Sequence, residues 1–275
     1  MTTDDTPPGV LSERGRLVRL SWTAVLVVGV AAYLLVLRTL VGTENLNFVP
    51  SLLLLGSAVV PATVLTFAAT GGRRVVVGAG LLALVAIVGG IIGTVAAGTL
   101  EYDTLQRLGT VPMLFVGLIE ESAKLIVPLA VLLFVRHRDP RAGVVIGVAS
   151  GMGFATLETM GYGFNALLSS RSLAAVDQTL LLRALLSPAG HVAWTGLTTA
   201  ALWAIASSAH KGRAVVRALL TFLAAVLLHA AWDGFNSLIV HVLVGGLSVV
   251  ALLIAIRRAH RDVPVAAVEG VPAVR

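Results

Sequence analysis

The chain has 275 residues, of which 57% are hydrophobic and only 12% charged, with no cysteine and a formal net charge of +6. That balance excludes a soluble domain, which needs far more charge on its surface, and belongs to a polytopic membrane protein. The absence of cysteine also excludes disulfides, cysteine-bound zinc and a thiol nucleophile.

The N-terminal stretch MTTDDTPPGVLSERGRLVRL places acids and prolines before any apolar run. Residues 1–19 therefore read as a polar cytoplasmic tail, without the layout of a cleavable signal peptide. A bilayer core needs about 20 apolar residues per helix. Apolar runs between charged or Pro/Gly breaks give eight expected spans, at 20–41, 48–69, 75–98, 110–135, 142–167, 179–209, 214–235 and 237–256. The fold class is thus an all-α transmembrane helix bundle over 20–256, followed by a basic tail at 257–275.

Lysines and arginines orient it. With the N-terminus inside, fifteen of the twenty fall in cytoplasmic segments, and only Arg38, Arg107 and Arg171 fall outside. Both termini are then cytoplasmic. The positive charge is a topology signal, so no nucleic-acid partner is expected.

Lys124 and Arg183 lie within spans, together with Glu120, Glu121, Glu158, His191, His229 and Asp233. A single charge at a helix centre costs about 2.5–3.5 kcal/mol on insertion scales, so such groups need partners, water or a ligand. Counted along their spans at 1.5 Å per residue, all fall between the midplane and the outer interface. Four spans carrying ionisable groups at one level imply one polar cavity open to the extracytoplasmic side. Glu120 and Lys124 are i,i+4 and share a face, as are His229 and Asp233. Glu121 points about 100° away from Glu120, toward a neighbouring helix or Lys124. The small residues of GVASGMGFATLE and SPAGHVAWTG let helices approach closely, and Pro188 frees a carbonyl just before His191.

Four motifs stand in order: EESAK at 120–124, GFATLE at 153–158, HVAWTG at 191–196 and HAAWDGF at 229–235. Together they resemble the PrsW family of intramembrane proteases, related to the CPBP group that includes CAAX-prenyl endopeptidases. The motif-bearing core covers about 110–240, and the first three spans match only as hydrophobic helices. Many relatives carry Asn after the second-motif Glu, where this chain has Thr159, with Tyr162 following. The resemblance implies an intramembrane endopeptidase in the cell membrane. Its substrates would be single-span membrane proteins or membrane-bound peptides, anti-sigma factors among them. Prenylated substrates fit less well with an outward-facing cavity.

Hydrolysis asks for an activated water, a general base and oxyanion stabilisation. Glu120 or Glu121 is the expected base, beside Lys124. Glu158, His191 and His229 are the expected ligands of a divalent metal, Zn2+ by preference, with a fourth position open to water. Asp233 would orient His229, and Arg183 a substrate or carboxylate. Four acids against two permanent cations leave −2, which either a dication or two protons would neutralise. A metal-free glutamic protease is therefore the alternative mechanism, and a conventional zincin is excluded because no HExxH is present. A proton- or ion-coupled transporter and a non-catalytic scaffold are the alternative functions. The transporter is disfavoured by the lack of paired repeats with broken helices.

Plainer readings exist residue by residue. Glu120 and Lys124 could form a structural ion pair, Glu158 a protonated carboxyl bonded to backbone, and the two histidines helix–helix glue. Arg183 could snorkel, and Asp233 could cap a helix. His241 reads as packing or interfacial, and His137, His210 and His260 as solvated. Trp194, Trp203 and Trp232 read as packing residues.

Overall fold

The computed structural model describes residues 15–72, 77–135 and 139–261, and among these its regular structure is entirely helical. The helices are α1 (Arg16–Arg19), α2 (Ser21–Thr43), α3 (Val49–Thr70), α4 (Ala79–Leu108), α5 (Met113–Lys124) and α6 (Ile126–Phe134). They continue with α7 (Pro140–Ser170), α8 (Leu173–Leu186), α9 (His191–Ser207), α10 (Lys211–Gly234) and α11 (Leu238–His260). Six of them (α2, α3, α4, α7, α10 and α11) are long and apolar enough to cross a membrane. The protein is a multi-pass integral membrane protein.

The expected spans at 110–135 and 179–209 are not continuous helices. The first breaks at Leu125, between α5 and α6. Pro128 has no N–H to give the Lys124 carbonyl one turn back, and that carbonyl instead accepts a hydrogen bond from Ser150 Oγ of α7 at 2.7 Å. The second breaks at the 3-10 turn Ser187–Ala189, which contains Pro188, so that α9 begins at His191. The third expected span ends at 98, yet α4 runs on to Leu108 and takes Glu101 into the helix. It stops at Gly109, whose φ of 70° suits a residue without Cβ.

Helix α7 is the centre of the bundle, packed on α3, α4, α8 and α9. Glycines make this possible. A methyl on Gly147 would sit 2.5 Å from the Thr195 carbonyl, and one on Gly151 would sit 2.6 Å from that of His191. On the α4 side, Gly153 lies directly on the Ala86 carbonyl. Val144, Val145, Val148 and Ala149 fill the seam with Val192, Ala193, Trp194 and Trp203 of α9 and with Leu252 and Ile256 of α11. A second cluster joins α2, α3 and α8 through Leu40, Leu52, Val176 and Leu180, where the Tyr33 hydroxyl donates to Asp177.

At the start of α7, Asp139 caps the helix through the Arg141 N–H at 2.9 Å and pairs with the Arg141 guanidinium at 2.6 Å. Partial burial alone would raise the Asp139 carboxyl, but these bonds from Arg141 outweigh it and hold it below its ordinary value.

His210 is exposed at the start of α10. His260 differs from the solvated residue expected: its Nε2 lies 3.0 Å from the Ala68 carbonyl and its ring packs edge-on against Phe67. Gly71 and Gly72 leave the room for that ring, so His260 ties the end of α11 to α3. His137 lies outside the described residues, as do Arg14, Arg73, Arg74, Arg136, Arg138 and Arg275.

Candidate active site

Five helices bring the intramembrane ionisable groups together. The EESAK turn of α5 presents Glu120, Glu121 and Lys124, all buried. Helix α7 brings Glu158, α8 brings Arg183, α9 opens on His191, and the last turns of α10 carry His229 and Asp233. All eight residues singled out from the sequence meet in one network.

Lys124 is its hub. Its side chain is 0% exposed. The ammonium reaches Glu121 Oε1 at 2.7 Å, Glu120 Oε2 at 3.2 Å and His191 Nδ1 at 2.7 Å, and it lies 4.4 Å from the centre of the Phe154 ring. A buried ammonium has three protons to place; Glu121 and His191 accept two as hydrogen bonds, and Glu120 faces it as an ion pair. Because Lys124 donates, His191 Nδ1 must be the accepting nitrogen.

Glu121 is fully enclosed. Held by Lys124 on one side, its Oε1 also lies 2.9 Å from His229 Nδ1. An ionised Glu121 can only accept, so Nδ1 of a neutral His229 carries the proton and Nε2 presents a lone pair. That nitrogen is buried without a hydrogen bond. It is 3.6 Å from Glu120 Oε2 and 3.1 Å from Asp233 Oδ2. Glu120 Oε2 is likewise buried without a hydrogen bond. Lys124 reaches only Glu120 among these groups, so the face shared by His229 Nε2, Glu120 Oε2 and Asp233 Oδ2 holds acceptors and no donor while His229 is neutral, an arrangement that a further cation would relieve.

Glu120, His191 and His229 form a group whose potential ligand atoms lie within 4.8 Å of one another. This is a donor set of the type that holds zinc, and the two orphaned atoms belong to it. Its carboxylate is Glu120, whereas the sequence reading put Glu158 there. Glu158 Oε2 lies instead 2.7 Å from Arg183 Nη2 and 2.9 Å from His191 Nε2. Arg183 in turn stacks on Tyr162, its guanidinium carbon 3.7 Å from the ring centre, so it holds a carboxylate rather than snorkelling. A small cavity of about 90 Å³ abuts this side, lined by Thr159, Arg183, Ser187, His191, Trp194 and Trp232 among others. It has room for water.

Aromatic packing fixes the histidines. Trp194 stacks on His229 with ring centres 4.9 Å apart, meets His191 edge-on at 5.7 Å, and is anchored by its indole N–H to Ser248 Oγ at 2.9 Å. Trp203 is buried core. His241 packs on Trp232 at 4.7 Å and reaches its carbonyl at 2.9 Å, as a packing residue does.

Sequence reasoning missed Ser150, whose role appears only once Pro128 is seen to orphan a carbonyl. It also missed Glu101, which lies beyond the hydropathy edge of its span. The model of the PrsW family intramembrane metalloproteases matches residues 50–259 of the chain. No curated protein and no solved structure matches it.

Proposed function

Because the chain belongs to the PrsW family of intramembrane metalloproteases, we propose that it cuts single-span membrane substrates at the Glu120, His191 and His229 centre. An anti-sigma factor is one such substrate. The bundle would cross the bilayer eight times with both termini inside, two of the crossings made by the broken pairs α5–α6 and α8–α9. The observation that carries the mechanism is the meeting of Glu120 Oε2 and the lone pair at His229 Nε2, both buried and without a hydrogen bond.

Glu120, His191 and His229 would hold a divalent metal, Zn2+ by the chemistry of one carboxylate and two imidazoles. Bound there, it supplies Lewis acidity to water and to the scissile carbonyl. Glu121 keeps His229 in the ligating tautomer, and Lys124 keeps Glu121 ionised. Glu158, steadied by Arg183 and beside the water-sized cavity, takes the proton from the attacking water and returns it to the departing nitrogen. Asp233 steadies His229 from one turn away.

One contact favours a second reading. Lys124 occupies the Nδ1 lone pair of His191, so His191 ligates through that nitrogen only after giving up the lysine. Without a metal, Glu120 is the carboxylate left to activate water, and the site works as a glutamic protease.

Purified protein and a single-span model substrate test both. Glu120→Gln is expected to lower cleavage at least about 100-fold on either reading. Bound metal separates them: wild type should retain Zn2+ and be stabilised by it, by about 2.7 kcal/mol at a hundredfold excess over Kd, and His229→Ala should lose that response. Full cleavage by metal-free, chelator-treated protein would select the glutamic mechanism. No cleavage at all, with proton-coupled solute flux in liposomes, would select the transporter, and neither would leave the scaffold.

A further inference from the structure

Glu101 is a half-buried acid that the mechanism does not use. On α4 the residues Gly93, Ala97 and Glu101 recur every four positions and form one stripe. Gly93 faces the break between α5 and α6, where a methyl would sit 3.8 Å from the Lys124 Cα and 3.1 Å from Phe154. Ala97 packs with Ala123, Phe154 and Ile119. The next turn of the stripe carries Glu101 on the same face of α4, one turn from Ala97, as Glu158 stands one turn from Phe154 on α7. Its Oε1 is buried without a hydrogen-bond partner, and it lies within electrostatic reach of Glu120, Glu158, His229 and Lys124.

With Glu101 the site holds five acids against Lys124 and Arg183. Counted formally, with every acid ionised and both histidines neutral, the balance is −3, and a divalent metal leaves −1. An orphaned carboxylate oxygen and a residual negative charge ask for the same complement, a cationic N–H donor. We propose that Glu101 forms a specificity subsite that accepts a basic side chain, Lys or Arg, of the membrane substrate next to the scissile bond. The proposal rests on the protease reading and names the substrate class for it.

The test uses full-length protein in detergent and quenched fluorescent single-span peptides in which Lys, Met or Glu stands at one position flanking the cut at a time. Wild type should cleave the Lys peptide with a KM about tenfold below that of the Met peptide at one position, the worth of one charge-assisted hydrogen bond. Glu101→Gln should bring that ratio close to one through KM rather than kcat. Glu101→Lys should favour the Glu peptide. Binding of the same peptides to the Glu120→Gln background should show the same order without turnover. Retained Lys preference in Glu101→Gln overturns the subsite. So does an equal fall in kcat on all peptides, which would place Glu101 in the chemistry. Cleavage of the Met peptide by wild type checks the protease reading separately from the subsite.

Discussion

Helices α2 and α7 are both long enough to cross a membrane, and they are built on opposite rules. Helix α2 is the more apolar, with only 11% of its spanning window buried, while α7 is less apolar and 72% buried. In water the apolar helix would be the inner one. In lipid, hydrocarbon competes with any apolar contact, so Leu and Val are left to face outward. The inside goes to small residues that let backbones meet and to polar groups that find partners. The candidate site adjoins one of these close approaches, where His191 of α9 meets Gly151 of α7.

The sharpest way to break that comparison is to remove the hub of the interior. Lys124→Met leaves Glu121, Glu120 and His191 Nδ1 without their shared cation at a position fully enclosed by protein. Loss of one partner from a buried ion pair costs about 3–5 kcal/mol, and unfolding in bicelles should register a loss of that size. Leu35→Ala on the outer face of α2, where the leucine is 66% exposed, trades lipid contact in both folded and unfolded states. It should change stability by less than about 1 kcal/mol. Equal effects of the two would mean that the interior network contributes nothing special.

Glycine draws the same contrast more finely. A methyl on Gly153 meets the Ala86 carbonyl, a backbone atom that cannot turn aside. Gly153→Ala should therefore force α4 from α7 at a cost of about 1–3 kcal/mol, and should lower cleavage with it. Gly98, exposed on α4, has nothing within 4 Å of such a methyl. Gly98→Ala gains helix propensity and should be neutral or stabilising by up to about 1 kcal/mol. Thermal midpoints of the two variants, set against wild type, give the difference directly.

What was legible in the sequence follows the same division. Hydropathy finds the six long helices because their outer faces must be apolar over a bilayer thickness. The site was legible because ionisable residues inside spans are rare enough to stand out individually, and the eight named from the sequence share one network. The breaks at Leu125 and at 187–190 were not legible as breaks. Pro128 and Pro188 sit in runs apolar enough to pass as one helix, and the group that compensates Pro128, Ser150, lies on another helix. Glu101 was lost because a hydropathy window ends where charge begins, while a helix ends where its capping residue stands, here at Gly109. The four-residue stripe Gly93, Ala97 and Glu101 was the available signal. That Glu120 stands near both histidines while Glu158 meets His191 and Arg183 is a tertiary arrangement that spacing along the chain does not encode.

The smallest effect tests how an interior helix tolerates a break at all. Pro128 denies the Lys124 carbonyl its intrahelical donor, and Ser150 Oγ supplies one from α7 at 2.7 Å. Ser150→Ala should cost about 0.6–1.7 kcal/mol, the range measured for interhelical hydrogen bonds in membrane bundles. Pro128→Ala gives the backbone donor back. If the serine acts only by replacing that donor, its loss should be nearly silent in the Pro128→Ala background. The double-mutant cycle would then show a coupling about as large as the single Ser150→Ala effect. Additive costs would mean that Ser150 contributes through packing at Gly89, whose missing side chain leaves it room. Lys124 carries both the rescued carbonyl and the hub ammonium, so a loosened break should also misplace Nζ. Cleavage by Ser150→Ala should fall further than its stability does, and Pro128→Ala should restore part of it.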